Sequence, residues 1–253
     1  MKKMKKENNL EKILFIPDMH VPYHDVRAVE LLLKVGKIFK PDHSIIMGDM
    51  LDNYSVSSHS KNPNRALKLV EEVDATKNML DRIKNIGAKN NVFVSGNHED
   101  RLERYLMDRA PELFNVVSTD KILELKEKGF KYIPYKSHYK IGKLNVTHDT
   151  GTAGRYAHYK SFDSFQHNVV IGHVHRMGFA VEGNAQGERH VTACFGWLGD
   201  IDAVDYMHKI KATRDWSLGF GIGYLDTKTN IVYVIPVPII NYTCLIEGKL
   251  ITL

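Results

Sequence analysis

Residues 44–53 read SIIMGDMLDN, a short apolar run that passes through a single glycine directly into carboxylates and an amide. A short, β-branched apolar run of this kind is typical of a buried strand. The same transition from apolar to polar residues occurs at four other places: ILFIPDMH (13–20), VFVSGNHED (92–100), LNVTHD (144–149) and VVIGHVH (169–175). Each of the five predicted strands therefore ends in chemically active side chains.

These strands predict an α/β fold whose polar strand ends meet along one rim. Between several of these strands, apolar residues recur at helical spacing, which predicts helices from Asp25 to Pro41 and from Arg65 to Ile86. In open α/β sheets, residues that follow the carboxyl ends of neighbouring strands gather outside one edge of the sheet. We therefore expect the five blocks to converge. In the D-x-H and H-x-H blocks, an extended chain would also place both side chains on one face.

The residue types in these blocks favour a metal centre. Carboxylates and imidazoles without thiolates suit divalent ions such as Mn, Fe or Zn better than Ca²⁺, which prefers oxygen ligands. Seven candidate ligands are too many for one tetrahedral site, so a pair of ions bridged by one carboxylate fits better. The alternative, coincidental polarity at strand ends, would require the same accident in all five blocks. The candidate ligands are Asp18, His20, Asp49, Asn97, His148, His173 and His175.

The chain is predicted to form one domain over residues 1–253, because no internal repeat or low-complexity linker divides it. Residues 1–11 are interpreted as a basic N-terminal tail, for which a solvated segment and a nucleic-acid-binding arm are both open interpretations. Residues 54–91 are interpreted as a helical insertion. The last part of the chain is predicted to be β structure, with strands at 218–225, 231–237 and 239–246.

Composition excludes several classes of protein. Apolar residues at 43%, charged residues at 26% and a net charge of +5 are typical of a globular protein and argue against disorder or a fibre. The longest apolar runs fall far short of the ~20 residues of a membrane span and of the ~7 of a secretory signal core. Cys194 and Cys244 lie far apart, which favours a reducing compartment. We therefore expect a cytoplasmic protein with no membrane partner.

The five blocks, in this order, resemble the calcineurin-like metallophosphoesterase superfamily, and the blocks at 54–91, 99–104 and 216–253 resemble its small bacteriophage-type members. The resemblance implies an α/β (α+β) fold in which a two-sheet β-sandwich is flanked by helices, with a dinuclear metal site at the carboxyl-terminal edge of the strands. It also implies the ligands of each ion. The first ion would be held by Asp18, His20, Asp49 and His175, and the second by Asp49, Asn97, His148 and His173, with Asp49 as the bridge.

The resemblance further implies two catalytic residues. His98, in the block GNHE at 96–99, matches the family residue that contacts the phosphate and protonates the leaving oxygen. Asp52 matches the carboxylate that orients this histidine in phosphoprotein-phosphatase relatives. One position departs from those relatives, because Asn53 stands where they carry a phosphate-binding arginine. A guanidinium could instead come from Arg65, Arg101, Arg104 or Arg155.

The sequence thus predicts an enzyme that hydrolyses a phosphate ester by in-line attack of metal-bound hydroxide. The expected cofactors are two divalent transition-metal ions, with Mn favoured over Fe, Zn or Ni. The missing arginine, the basic charge and the phage-type resemblance favour phosphodiesters, including nucleotides and nucleic acids, as substrates. The alternatives are a phosphomonoesterase or protein phosphatase of the same fold, and a binding scaffold without turnover.

Overall fold

The computed structural model describes residues 9–59, 61–62, 67–203 and 213–253. The α-helices in these ranges are α1 (Val26–Phe39), α2 (Leu69–Lys84), α3 (Asp100–Arg109), α4 (Thr119–Ile122) and α5 (Ala157–Phe165). The strands are β1 (Leu10–Ile16), β2 (His43–Ile46), β3 (Asn90–Val94), β4 (Phe130–Ile133), β5 (Tyr139–Ile141), β6 (Leu144–Thr147), β7 (Val169–Ile171), β8 (Met177–Gly183), β9 (Arg189–Phe195), β10 (Gly219–Asp226), β11 (Ile231–Pro238), β12 (Thr243–Ile246) and β13 (Lys249–Thr252).

The first sheet has six strands in the order β11-β10-β1-β2-β3-β4. Strands β1 to β4 run parallel, with Phe15 opposite Ile45 and Ile45 opposite Val92. Strands β10 and β11 extend the sheet in antiparallel fashion. Because β1, β2 and β3 are parallel and their carboxyl ends are in register, the three polar segments that follow them lie side by side at the carboxyl-terminal edge of the sheet.

The second sheet has five strands in the order β5-β6-β7-β9-β8, and β6, β7 and β9 are parallel. The two sheets pack face to face through inward-pointing apolar side chains of both. In this core the ring centroids of Phe15 and Phe195 lie 5.1 Å apart. The predicted two-sheet sandwich is confirmed, and the segments after β6 and β7 reach the same rim as those after β1, β2 and β3.

Helices cover the outer faces of both sheets. Leu14 and Ile16 alternate with Phe15 along β1, so they point away from the sandwich core and pack with α1 and α2. On the second sheet, Ala157 of α5 packs against Val169 of β7. These contacts give the fold an α/β arrangement with flanking helices, as predicted.

The helix α1 illustrates how the sequence sets an element's limits. The Asp25 carboxylate accepts a hydrogen bond from the Ala28 N–H at 2.9 Å, and Lys40 adopts a left-handed conformation at the carboxyl end, before Pro41. The helix α2 is shorter than the predicted span 65–86, and the predicted start at Arg65 lies outside the described residues. Val70, an apolar residue that helical spacing assigns to the core side of this helix, is 58% exposed because it lies at the margin of the buried stripe.

The carboxyl-terminal segment differs from its prediction. The single strand expected at 239–246 starts only at Thr243 and pairs with β13 in a two-stranded antiparallel sheet. Of the predicted basic tail at 1–11, residues 1–8 lie outside the described residues, whereas Leu10 and Glu11 belong to β1. No helix within the described ranges is long and apolar enough to cross a bilayer.

Candidate dinuclear metal centre

The structure brings all seven candidate ligands together at the rim formed by β1, β2 and β3 of one sheet and β6 and β7 of the other. Asn97 and His173 are partly exposed, and the rest are buried: Asp18, His20, Asp49, His148 and His175. Ionisable side chains are rarely buried without a partner of opposite charge or a metal ion. The rim therefore has the side chains and the burial that a cation site requires.

A first group consists of Asp18, His20, Asp49 and His175, whose ligand atoms all lie within 4.8 Å of one another. The Nε2 atoms of His20 and His175 are 3.1 Å apart, and Asp18 Oδ2 lies 3.1 Å from His175 Nε2. The Asp18 Oδ2 atom is buried and makes no hydrogen bond of acceptable geometry within the described residues. An unsatisfied carboxylate oxygen beside two imidazole nitrogens fits a divalent cation.

A second group consists of Asp49, His148 and His173, again with ligand atoms within 4.8 Å. Asn97 Oδ1 joins it, at 3.0 Å from His148 Nε2 and 2.9 Å from His173 Nδ1. Asp49 Oδ2 lies 3.3 Å from His148 Nε2 and 3.9 Å from His20 Nε2, so this carboxylate faces both groups. The two donor sets therefore share one carboxylate, as a bridged pair of ions requires.

Hydrogen bonds behind the cluster orient two of the imidazole rings. His148 Nδ1 donates to the Met47 carbonyl oxygen at 2.9 Å, and His20 Nδ1 donates to Asp52 Oδ2 at 3.1 Å. A neutral histidine that donates through Nδ1 presents the lone pair of Nε2. Both Nε2 atoms face the cluster, so each ring is oriented to present Nε2 to a metal ion, which would take the place of a proton on that atom.

Electrostatics in the cluster concentrate negative charge in the interior. Burial alone would raise the pKa values of Asp18 and Asp49, but nearby histidines lower both, that of Asp49 well below its usual range. Burial opposes protonation of His148, yet Asp49 raises the pKa of His148 to about 10. Burial lowers the pKa of His175 to about 4, which keeps its ring neutral and able to act as a ligand. Two ionised carboxylates thus share a buried site in which a positive charge is stabilised, whether it is that of protonated His148 or that of a metal ion.

His98 and Asp52 lie at the side of the cluster. His98 Nδ1 donates to the Asp52 carbonyl oxygen at 3.0 Å and lies 3.2 Å from Asp52 Oδ2, while His98 Nε2 is 3.8 Å from Asp49 Oδ2. Burial would raise the pKa of Asp52, but His98 and His20 hold it far below its usual range. An ionised Asp52 therefore sits behind both histidines and fixes the direction in which His98 presents Nε2.

Comparison with known proteins identifies the family. The model of the calcineurin-like phosphoesterase family matches residues 11–224. The chain belongs to this family. The family and the buried His/Asp groups together indicate divalent metal ions in this phosphoesterase.

Relatives that match along nearly their whole length agree with the predicted phage-type resemblance. The Gene 54 protein of Mycobacterium phage L5 is 24% identical over 257 residues, covering 94% of this chain and 98% of the phage protein. The Gene 54 protein of Mycobacterium phage D29 is 23% identical over 254 residues, covering 94% of this chain and 97% of the phage protein.

Among solved structures, Vacuolar Protein Sorting 29 from Cryptosporidium parvum has 15% identity and a TM-score of 0.46, covering 95% of this chain and 94% of its own. The phosphoesterase Yfce from E. coli has 15% identity and a TM-score of 0.40, covering 88% and 98%.

The position that departs from the phosphatase pattern is buried in this phosphoesterase. Asn53 is fully buried with a left-handed backbone, and its Nδ2 donates to the His98 carbonyl oxygen at 3.0 Å. A guanidinium reaches the same region from α3 instead. Arg101 donates from Nη1 to the Asp52 carbonyl oxygen at 2.9 Å, and its Nη2 lies 2.9 Å from His98 Nε2. Of the candidate arginines, Arg101 therefore contacts both His98 and Asp52, and Arg104 donates to the Asn97 carbonyl oxygen at 3.2 Å, whereas Arg65 lies outside the described residues.

Glu99 is a residue whose importance sequence reasoning missed. Its buried carboxylate accepts hydrogen bonds from the N–H groups of Gly96, Asp49, Met50 and Leu51 at 2.7–2.9 Å. Burial and the Asp49 charge raise the pKa of Glu99 to about 7, whereas the four amide donors favour its ionised form. Glu99 ties the segment after β2 to the segment after β3. In the sequence, the position of Glu99 directly after His98 in the block GNHE was the feature that could have indicated its role.

The rim is also a place of unusual backbone conformation. His20, Asp49, His173 and His175 all have positive φ angles, between 50° and 66°. The chain is therefore not extended at these histidines, so the condition for a shared face in D-x-H and H-x-H is not met, and tight left-handed turns aim these side chains instead. Such conformations cost about 1–3 kcal/mol each for non-glycine residues and cluster at functional sites. Gly48, with φ +95°, sits where a Cβ would overlap the His148 ring.

Proposed function

We propose that this phosphoesterase hydrolyses phosphodiester bonds with two divalent transition-metal ions, Mn being favoured. The observation that carries the proposal is the convergence of two donor groups on one shared carboxylate, Asp49. These groups support the assignment of ligands that the resemblance implies. Asp18, His20, Asp49 and His175 would hold one ion, and Asp49, Asn97, His148 and His173 the other.

Ions bound in this way would polarise the phosphoryl oxygens and acidify a water molecule, which is the contribution of metal pairs to phosphoryl displacement. The chain itself supplies proton transfer and positioning. His98 is the proposed donor of a proton from Nε2 to the leaving oxygen, because this atom borders the cluster at 3.8 Å from Asp49 Oδ2 without belonging to either ligand group. Asp52 is the proposed positioning residue, since it holds Nδ1 of the same ring.

The charge around the site supports a diester over a monoester. Position 53 offers no cation, and Arg101 is the one guanidinium that contacts His98 or Asp52 within the described part of the chain. A monoester carries more negative charge on the scissile phosphate than a diester does, so it gains more from additional guanidinium groups. A scissile phosphate with one arginine beside His98 is therefore better matched to a diester.

The test compares turnover of bis-nitrophenyl phosphate, nitrophenyl phosphate and a phosphopeptide by the same protein, with Mn²⁺ and after chelation. We expect the highest kcat/KM on the diester and loss of activity in chelator that Mn²⁺ restores. Better turnover of the phosphopeptide or the monoester would replace the diester proposal with the alternative of a phosphatase. No hydrolysis of any ester by the metal-loaded protein would favour a binding scaffold.

A further inference from the structure

A basic cavity of about 370 Å³ lies beside the metal centre, between α3 and the segment after β2. Its charged lining consists of four cations and one carboxylate: Lys61, Arg101, Arg104, Arg109 and Asp108. A volume of this size matches a small-ligand pocket and is far too small for a duplex. The cavity therefore fits one anionic group of a substrate, together with what is attached to it.

The cations of this cavity are incompletely neutralised. Arg101 pairs with Asp52 at 3.3 Å and Arg104 with Asp100 at 2.9 Å, whereas Lys61 donates to the Ser55 carbonyl oxygen, which leaves its charge uncompensated. Arg109 is exposed at the end of α3, and Asp108 is the single carboxylate among the lining residues. The excess of positive charge would attract an anion.

Two arginines connect the cavity with the proposed catalytic site. Arg101 lines it and at the same time contacts the Asp52 carbonyl oxygen and His98. Arg104 also lines it and donates to the carbonyl oxygen of Asn97 at 3.2 Å. A substrate held by His98 at one phosphate would therefore meet these arginines with its neighbouring groups.

The spacing along α3 extends the site beyond a single phosphate. Arg101, Arg104, Tyr105 and Asp108 are at i, i+3, i+4 and i+7, so they lie along one face of the helix. From Arg101 to Arg109 the helix rises about 12 Å. Tyr105, 44% exposed, offers an aromatic surface between the cations. Cations interleaved with an exposed aromatic ring are the combination that binds single-stranded nucleic acid.

We propose that this cavity, lined by Lys61, Arg104, Tyr105 and Arg109, is a subsite for a second phosphate of a single-stranded nucleic-acid substrate. The proposal rests on the proposed phosphodiesterase function and names its substrate class. Arg101 connects the two positions. The phosphate adjacent to the scissile one would contact Arg104, Arg109 and Lys61, and the base between them would stack on Tyr105.

The first test uses two chromogenic esters that differ by one phosphate: thymidine 5′-(nitrophenyl phosphate) and its 3′-phosphorylated derivative. We expect the second phosphate to raise kcat/KM by about tenfold or more at low salt. In a double variant, Lys61→Gln with Arg109→Gln, this gain should fall to less than about threefold. The matched control Arg82→Gln removes an arginine on α2 that pairs with Glu30, and it should keep the full gain.

The second test measures binding of a labelled oligothymidylate by fluorescence anisotropy, which requires no turnover. For a single strand, each cation that no longer binds a phosphate reduces the slope of log K against log salt by about 0.7, so the double variant should show a slope smaller by about 1.4. Lack of any gain from the 3′-phosphate, an unchanged slope in the double variant, or equal binding of duplex DNA would overturn the proposal. If oligothymidylate binds as expected while no diester is hydrolysed, the subsite stands and the proposed catalytic function fails.

Discussion

Arg101 Nη2 lies 2.9 Å from Nε2 of His98, the ring nitrogen that faces Asp49. A guanidinium can only donate hydrogen bonds, so this contact requires a lone pair, and therefore no proton, on Nε2. For His98 to protonate a leaving oxygen, Nε2 must carry a proton and Arg101 must turn elsewhere. A bound phosphate supplies the acceptor that Arg101 needs. We infer that Arg101 releases His98 Nε2 when substrate binds and donates its hydrogen bond to the substrate phosphate instead.

Substitution of Arg101 tests this exchange. Arg101→Gln removes the charge and should lower kcat/KM on nitrophenyl diesters by about 10²-fold, as loss of one preorganised donor to a reacting oxyanion typically does. Arg101→Lys keeps the charge but loses the planar fork, so it should be intermediate. Steady-state kinetics with metal analysis check this, since both variants should retain the wild-type metal content. Wild-type kinetics for Arg101→Gln, matching the remote control Arg82→Gln, would refute the role of Arg101.

Substitution of His98 by alanine should leave metal binding intact, because His98 is not a proposed metal ligand. Departure of a poor leaving group should slow by about 10² to 10⁴-fold without the acid. Nitrophenolate leaves without much help, so the variant should be nearly normal on nitrophenyl esters and strongly impaired on alkyl or nucleoside esters. Equal impairment on both kinds of ester, or loss of metal, would contradict the assignment. Asp52→Asn is a less clean test, because Asp52 also accepts from His20 Nδ1.

Glu99→Gln should destabilise the rim. Glutamine offers one acceptor oxygen and turns an NH₂ group toward backbone donors, so about two of the four N–H groups bound by Glu99 would lose their partner. Each unsatisfied buried donor costs about 1–3 kcal/mol. In a chain of this length, a loss of about 2 kcal/mol lowers Tm by at least about 4 °C. Thermal unfolding measures this, with Glu127→Gln at an exposed glutamate as the control. An unchanged Tm would show that Glu99 does not hold the two segments together.

Much of the fold was predictable because its signals are local. Apolar runs marked β1, β2, β3, β6 and β7, and Asp25 and Pro41 marked the limits of α1. The donor residues of the rim were predictable for the same reason, since each directly follows a strand. Family resemblance then divided these donors between two ions, a division that spacing alone would not provide.

What the sequence could not predict depends on long-range geometry. The contact of Arg101 with Asp52 and His98 joins α3 to the segment after β2, and no spacing rule relates positions 52 and 101. Glu99 binds amides 48 to 50 residues away for the same structural reason. The left-handed turns at His20 and His175 were missed because propensity favours extended chain for such residues, and packing at the rim overrides it. Strand β13 is short and pairs with β12 in a separate two-stranded sheet, so its pattern gave little signal.

The most direct measurement is the number of metal ions per chain, determined by elemental analysis after Mn²⁺ loading and removal of free metal. We predict two ions for the wild-type protein and for the control His138→Ala, an exposed histidine outside the cluster. Asp49→Asn should weaken both ions together, because this carboxylate faces both groups, whereas His20→Ala should affect mainly one. A stoichiometry near one in the wild-type protein, with full activity retained in chelator, would contradict the dinuclear centre.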